Sequence, residues 1–298
     1  MKSGFVAIIG RPNVGKSTLL NAMVGEKVAI TADKPQTTRN RIRGIYNDDE
    51  CQIVFVDTPG VTKPKNKLGE YMAGAALGAL PDADAVLFIT DSYGLPSTGG
   101  DAGDSGDVIL QKIQGVSAPK ILVINKTDLM APDRFKRAYE AWEAEGIFTD
   151  IIGTTATDGV NVADVVAALK KHLPEGVGYF PDDVATDRPG RFIASEIIRE
   201  KALHYLRDEV PHGVAVGIEK YEEGRGVTRI SAVIYAEKKS HKGIIIGKGG
   251  RKLKGIGKSA REEIEGLLGT KVFLDLWVKV KPGWRDSDFM LGSLGYRD

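Results

Sequence analysis

The stretch GRPNVGKST, Gly10 to Thr18, decides how the first half of the chain is read. It carries a glycine, four intervening residues and then Gly-Lys-Ser. The apolar run FVAIIG leads into it and the helix-forming run STLLNAMVG leaves it. A strand that turns through such a loop into a helix is the setting a phosphate-binding loop requires. Its backbone N–H groups curl around phosphate oxygens, and the helix N-terminus adds partial positive charge. The phosphate-binding candidates are Gly10, Asn13, Val14, Gly15, Lys16, Ser17 and Thr18. Lys16 is placed to reach the β- and γ-phosphates, and the Ser17 hydroxyl to ligate Mg²⁺.

Outward from this loop the chain alternates. FVAIIG, QIVFVD, AVLFITD and KILVIN are nearly continuous apolar runs, as strands buried on both faces should be. GEYMAGAALGAL and RFKRAYEAWEAEG between them read as helices, which predicts an α/β domain built on a mainly parallel sheet. SYGLPSTGGDAGDSGD, Ser92 to Asp107, has the composition of a mobile loop and receives no chemistry.

The loop alone does not choose between ATP and GTP, but NKTD, Asn125 to Asp128, does. It follows the strand KILVI, at the carboxyl edge where ligands bind in open α/β sheets. Guanine presents adjacent N1–H and N2–H donors that one carboxylate, Asp128, can accept together. Adenine lacks that pair and would leave the carboxylate desolvated and unpaired, at a cost of a few kcal/mol. Asn125 can tie this loop to the base or to the first loop, and the Lys126 stem can cover the ring. TTATDG brings Thr155 and places the Ala156 N–H near guanine O6. DTPG, Asp57 to Gly60, supplies an aspartate that holds Mg²⁺ through water and a Gly60 N–H that senses the γ-phosphate. In KPQTTRNRIRG we favour Thr38 as the Mg²⁺ ligand that closes on the triphosphate, with Thr37 as the alternative; turn capping is the plain structural role for either. GTP or GDP with Mg²⁺ is therefore the expected cofactor set.

After LPEGVGYFPDDVATDRPG, rich in Pro and Gly and without periodicity, the pattern changes. We place a nucleotide domain at 1–175, a linker at 176–190 and a second domain at 191–298. In RFIASEIIREKALHYLRDE, Ile197, Ile198, Ala202 and Tyr205 share one helical side. KVFLDLWVKVK alternates with period two. The second domain reads helix, strand, strand, two helices around a glycine loop, then strand. That loop, in GIIIGKGGRKLKGIGKSAR, lacks the Lys-Ser end of a nucleotide loop and has no second base-reading motif. Gly247, Lys248, Gly249 and Gly250 fit instead the GXXG turn of an α+β KH domain of type II, which clamps about four nucleotides of single-stranded RNA. Arg251, Lys252 and Lys254 join Lys248 as phosphate contacts. Ile244, Ile245, Ile246, Leu253 and Ile256 offer an apolar floor, some of them as helix core. Trp277 and Trp284 are stacking candidates, with a structural role on its strand favoured for Trp277. His241 is read as a surface residue.

The bulk properties agree. The chain has 298 residues, 42% hydrophobic and 27% charged, with a formal net charge of only +1. That near-neutral sum hides nine Lys or Arg and no acid between Lys238 and Arg261; such a patch suits a polyanion. A single cysteine, Cys51, excludes an intramolecular disulfide and suits a reducing compartment. MKSGFVAIIG lacks the long apolar core and small-residue cleavage site expected of a signal peptide, and no apolar run here is long enough to span a bilayer. The histidines show no metal-ligand spacing.

PQTTRNRIRGI, DTPGVTKPKNKLGEYM, RFIASEIIREKALHYLRDEVPHG and the closing LWVKVKPGWRDSDFMLGSLGY resemble, in this order and over nearly the whole chain, the Era family of bacterial ribosome-assembly GTPases. Thr155 stands where that family commonly shows serine. The resemblance implies a GTP-hydrolysing switch that binds the 3′ end of small-subunit (16S) rRNA and assists assembly of the 30S subunit. A cytoplasmic monomer is expected, with a peripheral inner-membrane contact sometimes attributed to the family. Where many GTPases place a water-orienting glutamine, this chain has Val61, so slow turnover is expected and no general base is named among Thr38, Gly60 and Val61. The alternative is a KH-type RNA-binding module whose nucleotide domain is structural and barely hydrolyses.

Overall fold

The computed structural model describes residues 1–91 and 105–297, with only the backbone described for 105–107. It forms two compact units: Met1–Thr31, Thr38–Lys65 and Gly69–Asp187 make the first, and Ala32–Thr37, Asn66–Leu68 and Arg188–Asp298 the second.

The first unit runs β1 (Lys2–Gly10), α1 (Lys16–Val24), β2 (Ile42–Asn47), β3 (Cys51–Asp57), α2 (Lys67–Leu77, of which Lys67 and Leu68 count with the second unit), β4 (Ala85–Thr90), α3 (Ser105–Gln114), β5 (Lys120–Ile124), α4 (Pro132–Glu143), β6 (Asp150–Gly153) and α5 (Val162–His172). Its six-stranded sheet has the order β2-β3-β1-β4-β5-β6. All neighbours are parallel except β2, which runs antiparallel to β3. The period-two geometry sends alternate side chains of β1 to opposite layers. Val6 and Ile8 join Leu19 and Leu20 of α1 and Val165 and Leu169 of α5. Ala7 and Ile9 join Ala76 of α2, Ile109 and Ile113 of α3, and Ala138 and Trp142 of α4. Helices therefore cover both faces, which is why the central strands read as unbroken apolar runs.

The two edge strands escape that reading. β2 exposes Arg43 and ends on half-buried residues, and β6 is four residues long. The expected loop Ser92 to Asp107 lies outside the described residues as far as Asp104, and its last three residues open α3. Residues 176–187, expected as linker for want of periodicity, are held on the first unit. Gln52 Oε1 accepts from the backbone N–H groups of Tyr179 and Phe180, and its amide donates to the Phe180 carbonyl at 2.8 Å. Further along, Ile45 N–H on the free edge of β2 donates to the Ala185 carbonyl at 2.8 Å. That strap covers an edge that would otherwise present unpaired backbone groups.

The second unit adds α6 (Gly190–Tyr205), β7 (Val214–Gly224), β8 (Val227–Ala236), α7 (Lys239–Ile246), α8 (Arg251–Leu268), β9 (Lys271–Val280) and α9 (Asp288–Ser293). The sheet order is β7-β8-β9, antiparallel then parallel. Ile197, Ile198 and Ala202 of α6 and Ile256, Ala260 and Ile264 of α8 pack with Ile230, Ala232 and Ile234 of β8. Tyr205, expected on the same side of α6, is 40% exposed. Trp284 is fully buried and donates its indole N–H to the Gly213 carbonyl at 3.0 Å. It anchors the C-terminal segment and is therefore excluded as a base-stacking surface. Among the described residues no helix is long and apolar enough to cross a membrane.

Candidate functional site

Parallel pairing brings the carboxyl ends of β1, β3, β4 and β5 to one edge: Ile8 lies opposite Asp57, Gly10 opposite Ile89, and Thr90 opposite Ile124. The first loop leaves that edge from Gly10, with Asn13 exposed in the left-handed region and Gly15 introducing α1. Ser17 and Thr18 stand in the first turn of the helix, half-buried, and Val14 is buried in the core.

Three metal-ligating candidates converge here. Ser17 Oγ donates to Asp57 Oδ2 at 2.7 Å, the Ser17 and Thr38 hydroxyls lie 2.8 Å apart, and Thr38 Oγ1 donates to the same carboxylate oxygen at 3.3 Å. The other oxygen, Asp57 Oδ1, is buried with no hydrogen-bond donor. An orphaned buried carboxylate oxygen is costly in a finished structure, and two hydroxyls beside it form a hard oxygen set that fits Mg²⁺. Burial pushes the Asp57 carboxyl up, against the pull of Lys16 and of its two hydroxyl donors. Burial likewise pushes Lys16 down, to about 8, with the Asp57 charge opposing. The Lys16 ammonium meanwhile donates to the Arg11 carbonyl at 2.9 Å. Both shifts have one cause, burial, which the opposite charge of the neighbouring group only partly offsets. Thr37 takes the other role: its hydroxyl donates to the Lys34 carbonyl at 2.6 Å, a turn contact.

Gly60 packs onto the phosphate loop so tightly that a Cβ there would stand 2.7 Å from Pro12 Cα; only glycine permits that approach. The Val61 side chain turns inward, 5% exposed among Ala7, Ile9 and Ala76. Its position after Gly60 suggested a place near the attacking water, but the side chain belongs to the core. We expect Val61→Ala to lower stability by about 2 kcal/mol for two lost methyls, with turnover per folded molecule within about two-fold of the parent. Steady-state phosphate release below the melting transition checks this.

The candidate guanine end is held by a comparable set of hydrogen bonds. Asn125 is buried and ties three segments: its amide donates to the Val14 carbonyl at 2.9 Å, and its Oδ1 accepts from Thr154 Oγ1 at 3.0 Å and Ala156 N–H at 3.1 Å. Its role is the loop-to-loop tie. Lys126, in the left-handed region, donates to the Asn13 carbonyl and pairs with Asp91 at 3.4 Å. Asp128 is exposed in a 3₁₀ turn, Thr127–Leu129. The Thr155 hydroxyl lies 2.9 Å from that of Thr127, so threonine keeps the polar contact a serine would make.

Sequence reasoning passed over three positioning residues. Thr58 donates to the Ile8 carbonyl at 2.7 Å and pins the start of the Gly60 loop to β1. Asn21 Oδ1 accepts from Val28 and Ala29 N–H, and its amide returns to the Ala29 carbonyl, fixing the turn after α1. Asp91 orients Lys126. Thr58 lay inside a quoted motif; Asn21 and Asp91 carry no local signal.

In the second unit Gly247 to Gly250 link α7 to α8 with positive φ at Gly247, Gly249 and Gly250. A Cβ at Gly249 or Gly250 would meet nothing within 4 Å. The loop is therefore open outward, and α8 starts without a side-chain cap. Lys248, Arg251 and Lys254 are exposed and Lys252 is half-buried. Ile245 and Ile256 are core, while Ile244 is exposed and Ile246 and Leu253 lie partly buried beside them. His241, expected at the surface, is 4% exposed with Nδ1 unpartnered and Nε2 3.9 Å from a Glu209 oxygen.

The chain matches two family models, a 50S ribosome-binding GTPase over residues 5–126 and a KH domain over 209–285. It is 55% identical to GTPase Era of Alkaliphilus oremlandii over 99% of both chains, and 51% identical to GTPase Era of Clostridioides difficile over 100% of this chain and 99% of the relative. Two crystal structures are similar over 100% of both chains, each with TM-score 0.93. One is a point variant of Aquifex aeolicus Era bound to GDP and AlF₄⁻, 40% identical. The other, 41% identical, is Era with MgGDPNP and nucleotides 1506–1542 of 16S ribosomal RNA.

Proposed function

Because this chain belongs to the Era family of GTPases, we propose that it binds and hydrolyses GTP, holds the 3′ end of 16S rRNA in its KH domain and assists assembly of the 30S subunit. The observation that carries the nucleotide half is the convergence of Ser17, Thr38 and Asp57 around an orphaned carboxylate oxygen, beside a buried Lys16. Magnesium, when bound, neutralises charge on the β- and γ-phosphates. Ser17 and Thr38 would offer it hydroxyl oxygens, and Asp57 would hold it through water. Lys16 releases the Arg11 carbonyl to meet phosphate, the loop N–H groups of Asn13 to Thr18 cradle the chain of phosphates, and the Gly60 N–H meets the γ-phosphate. Asn125, Lys126, Asp128, Thr155 and Ala156 form the guanine end. With Val61 turned away and no general base named, the water is left to backbone groups, phosphate oxygens or a contributed cation, and slow turnover is expected.

The open glycine loop with Lys248, Arg251, Lys252 and Lys254 supports the RNA half. Main-chain N–H groups at a turn of this kind admit phosphates closely, and the exposed Ile244 offers a surface for an unstacked base. The 30S subunit as partner, action in the cytoplasm as a monomer, and a peripheral inner-membrane contact belong to the same proposal.

Phosphate release from GTP, measured with and without single-stranded RNA carrying the 16S 3′ sequence, tests it. We expect slow release from GTP that tenfold excess ATP does not suppress. Absence of release under both conditions would favour an RNA-binding module with a structural nucleotide domain.

A further inference from the structure

Thr38 reaches the metal-ligating cluster from a segment that is itself held by another element. Two residues on, Asn40 is 4% exposed, and its Oδ1 accepts the Tyr71 hydroxyl of α2 at 2.7 Å. Next in the chain, Arg41 Nε donates to the Ala75 carbonyl of the same helix at 2.7 Å. Its guanidinium lies so close to the end of α2 that a Cβ on Gly78 would stand 2.3 Å from Nη2. Helix α2 itself follows Gly60 in the chain, so both segments that would meet the γ-phosphate are fastened to one helix. Gly60 is tied to it through the next residue, Val61, which shares a core cluster with Ala76, and Thr38 by Asn40–Tyr71 and Arg41–Ala75.

We infer that Tyr71 is a positioning residue for the GTP reaction: through Asn40 it holds Thr38 at the Mg²⁺ site and makes the Thr38 and Gly60 segments respond together. This rests on the GTPase reading above. A partly buried hydrogen bond of this kind contributes about 1 kcal/mol net, roughly a five-fold effect on an equilibrium. A ligand can shift α2 through Thr38 only if such differential contacts exist.

The test is Tyr71→Phe, which keeps the ring and removes the hydroxyl, alongside Asn40→Ala and the double variant. Two readouts are taken: the Mg²⁺ concentration for half-maximal GTP turnover, and hydrogen–deuterium exchange of 38–42 and 69–77 with GDP or with Mg²⁺ and a non-hydrolysable GTP analogue. In the parent protein the analogue should protect both segments together. Tyr71→Phe should raise the Mg²⁺ requirement about five-fold, leave the GDP dissociation constant within two-fold, and separate the two protection responses. The double variant should be no worse than either single one, because both remove one bond. An unmoved Mg²⁺ requirement, additive variants, or an equal loss of GDP affinity would overturn the inference, the last by marking a merely structural role. A parent protein without GTP turnover would sink the functional reading, and this inference with it. Parent turnover with an unresponsive variant sinks the inference alone.

Discussion

Asp128→Asn should lower GTP affinity by about three orders of magnitude while raising affinity for xanthosine triphosphate. The carboxylate is the one group at the base end that can accept from two adjacent guanine donors, and each hydrogen bond to a charged acceptor contributes about 1.5–3 kcal/mol. The substitution loses one of these outright, strips the other of its charge and adds a donor–donor clash, which together remove about 3–6 kcal/mol, or roughly 10²–10⁴ in affinity. An asparagine side chain retains one acceptor and brings a donor, which clashes with guanine N2–H but matches the carbonyl that xanthine carries there. The substitution disturbs little else, because Asp128 is exposed on a short 3₁₀ turn, whereas Asn125 beside it holds three segments at once. Asn125→Ala would therefore lose nucleotide through collapse of the loop framework, and only Asp128→Asn separates recognition from architecture. Titration with fluorescent guanine and xanthine nucleotides decides the matter. Equal loss of both would mean that Asp128 supports the loop without reading the base.

The two glycine loops and NKTD were legible as turns because their form is set by local spacing: residues at positive φ between an apolar run or helix and the element that follows. The central strands were legible for a related reason, being buried on both faces. What stayed hidden depends on partners far away in the chain. β2 is half polar and owes its place to β3 and to the strap at Ala185. Gln52 gives no hint in sequence that it clasps residues 179 and 180. Trp284 and His241 looked like surface groups, yet tertiary packing buries both. Val61 was noticed for its place after Gly60, but the side chain direction follows from its packing against β1, which spacing from a motif does not reveal.

The second large effect concerns the basic loop. Exchanging both Gly249 and Gly250 for aspartate should weaken single-stranded RNA binding by more than about 100-fold. The two positions have φ of 61° and 74° with open space where a Cβ would project. Aspartate tolerates that backbone better than most residues, so strain accounts for only a small part of the expected loss. The larger part is charge. A carboxylate about 5 Å from a phosphate at an effective dielectric of 20 is repelled by about 3 kcal/mol, and two of them also offset neighbouring Lys248 and Arg251. Salt dependence separates the causes. If about four phosphates are neutralised, log K should fall against log salt with a slope near −3 in the parent protein. The double variant should show a clearly shallower slope. Gly269→Asp is the control: it too sits at positive φ, 64°, with nothing within 4 Å, but at the far end of α8. It should share the modest loss of melting temperature and keep both the affinity and the slope. RNA retention that survives Gly249→Asp with Gly250→Asp, or a flat salt response in the parent, would place the RNA contact elsewhere on the molecule.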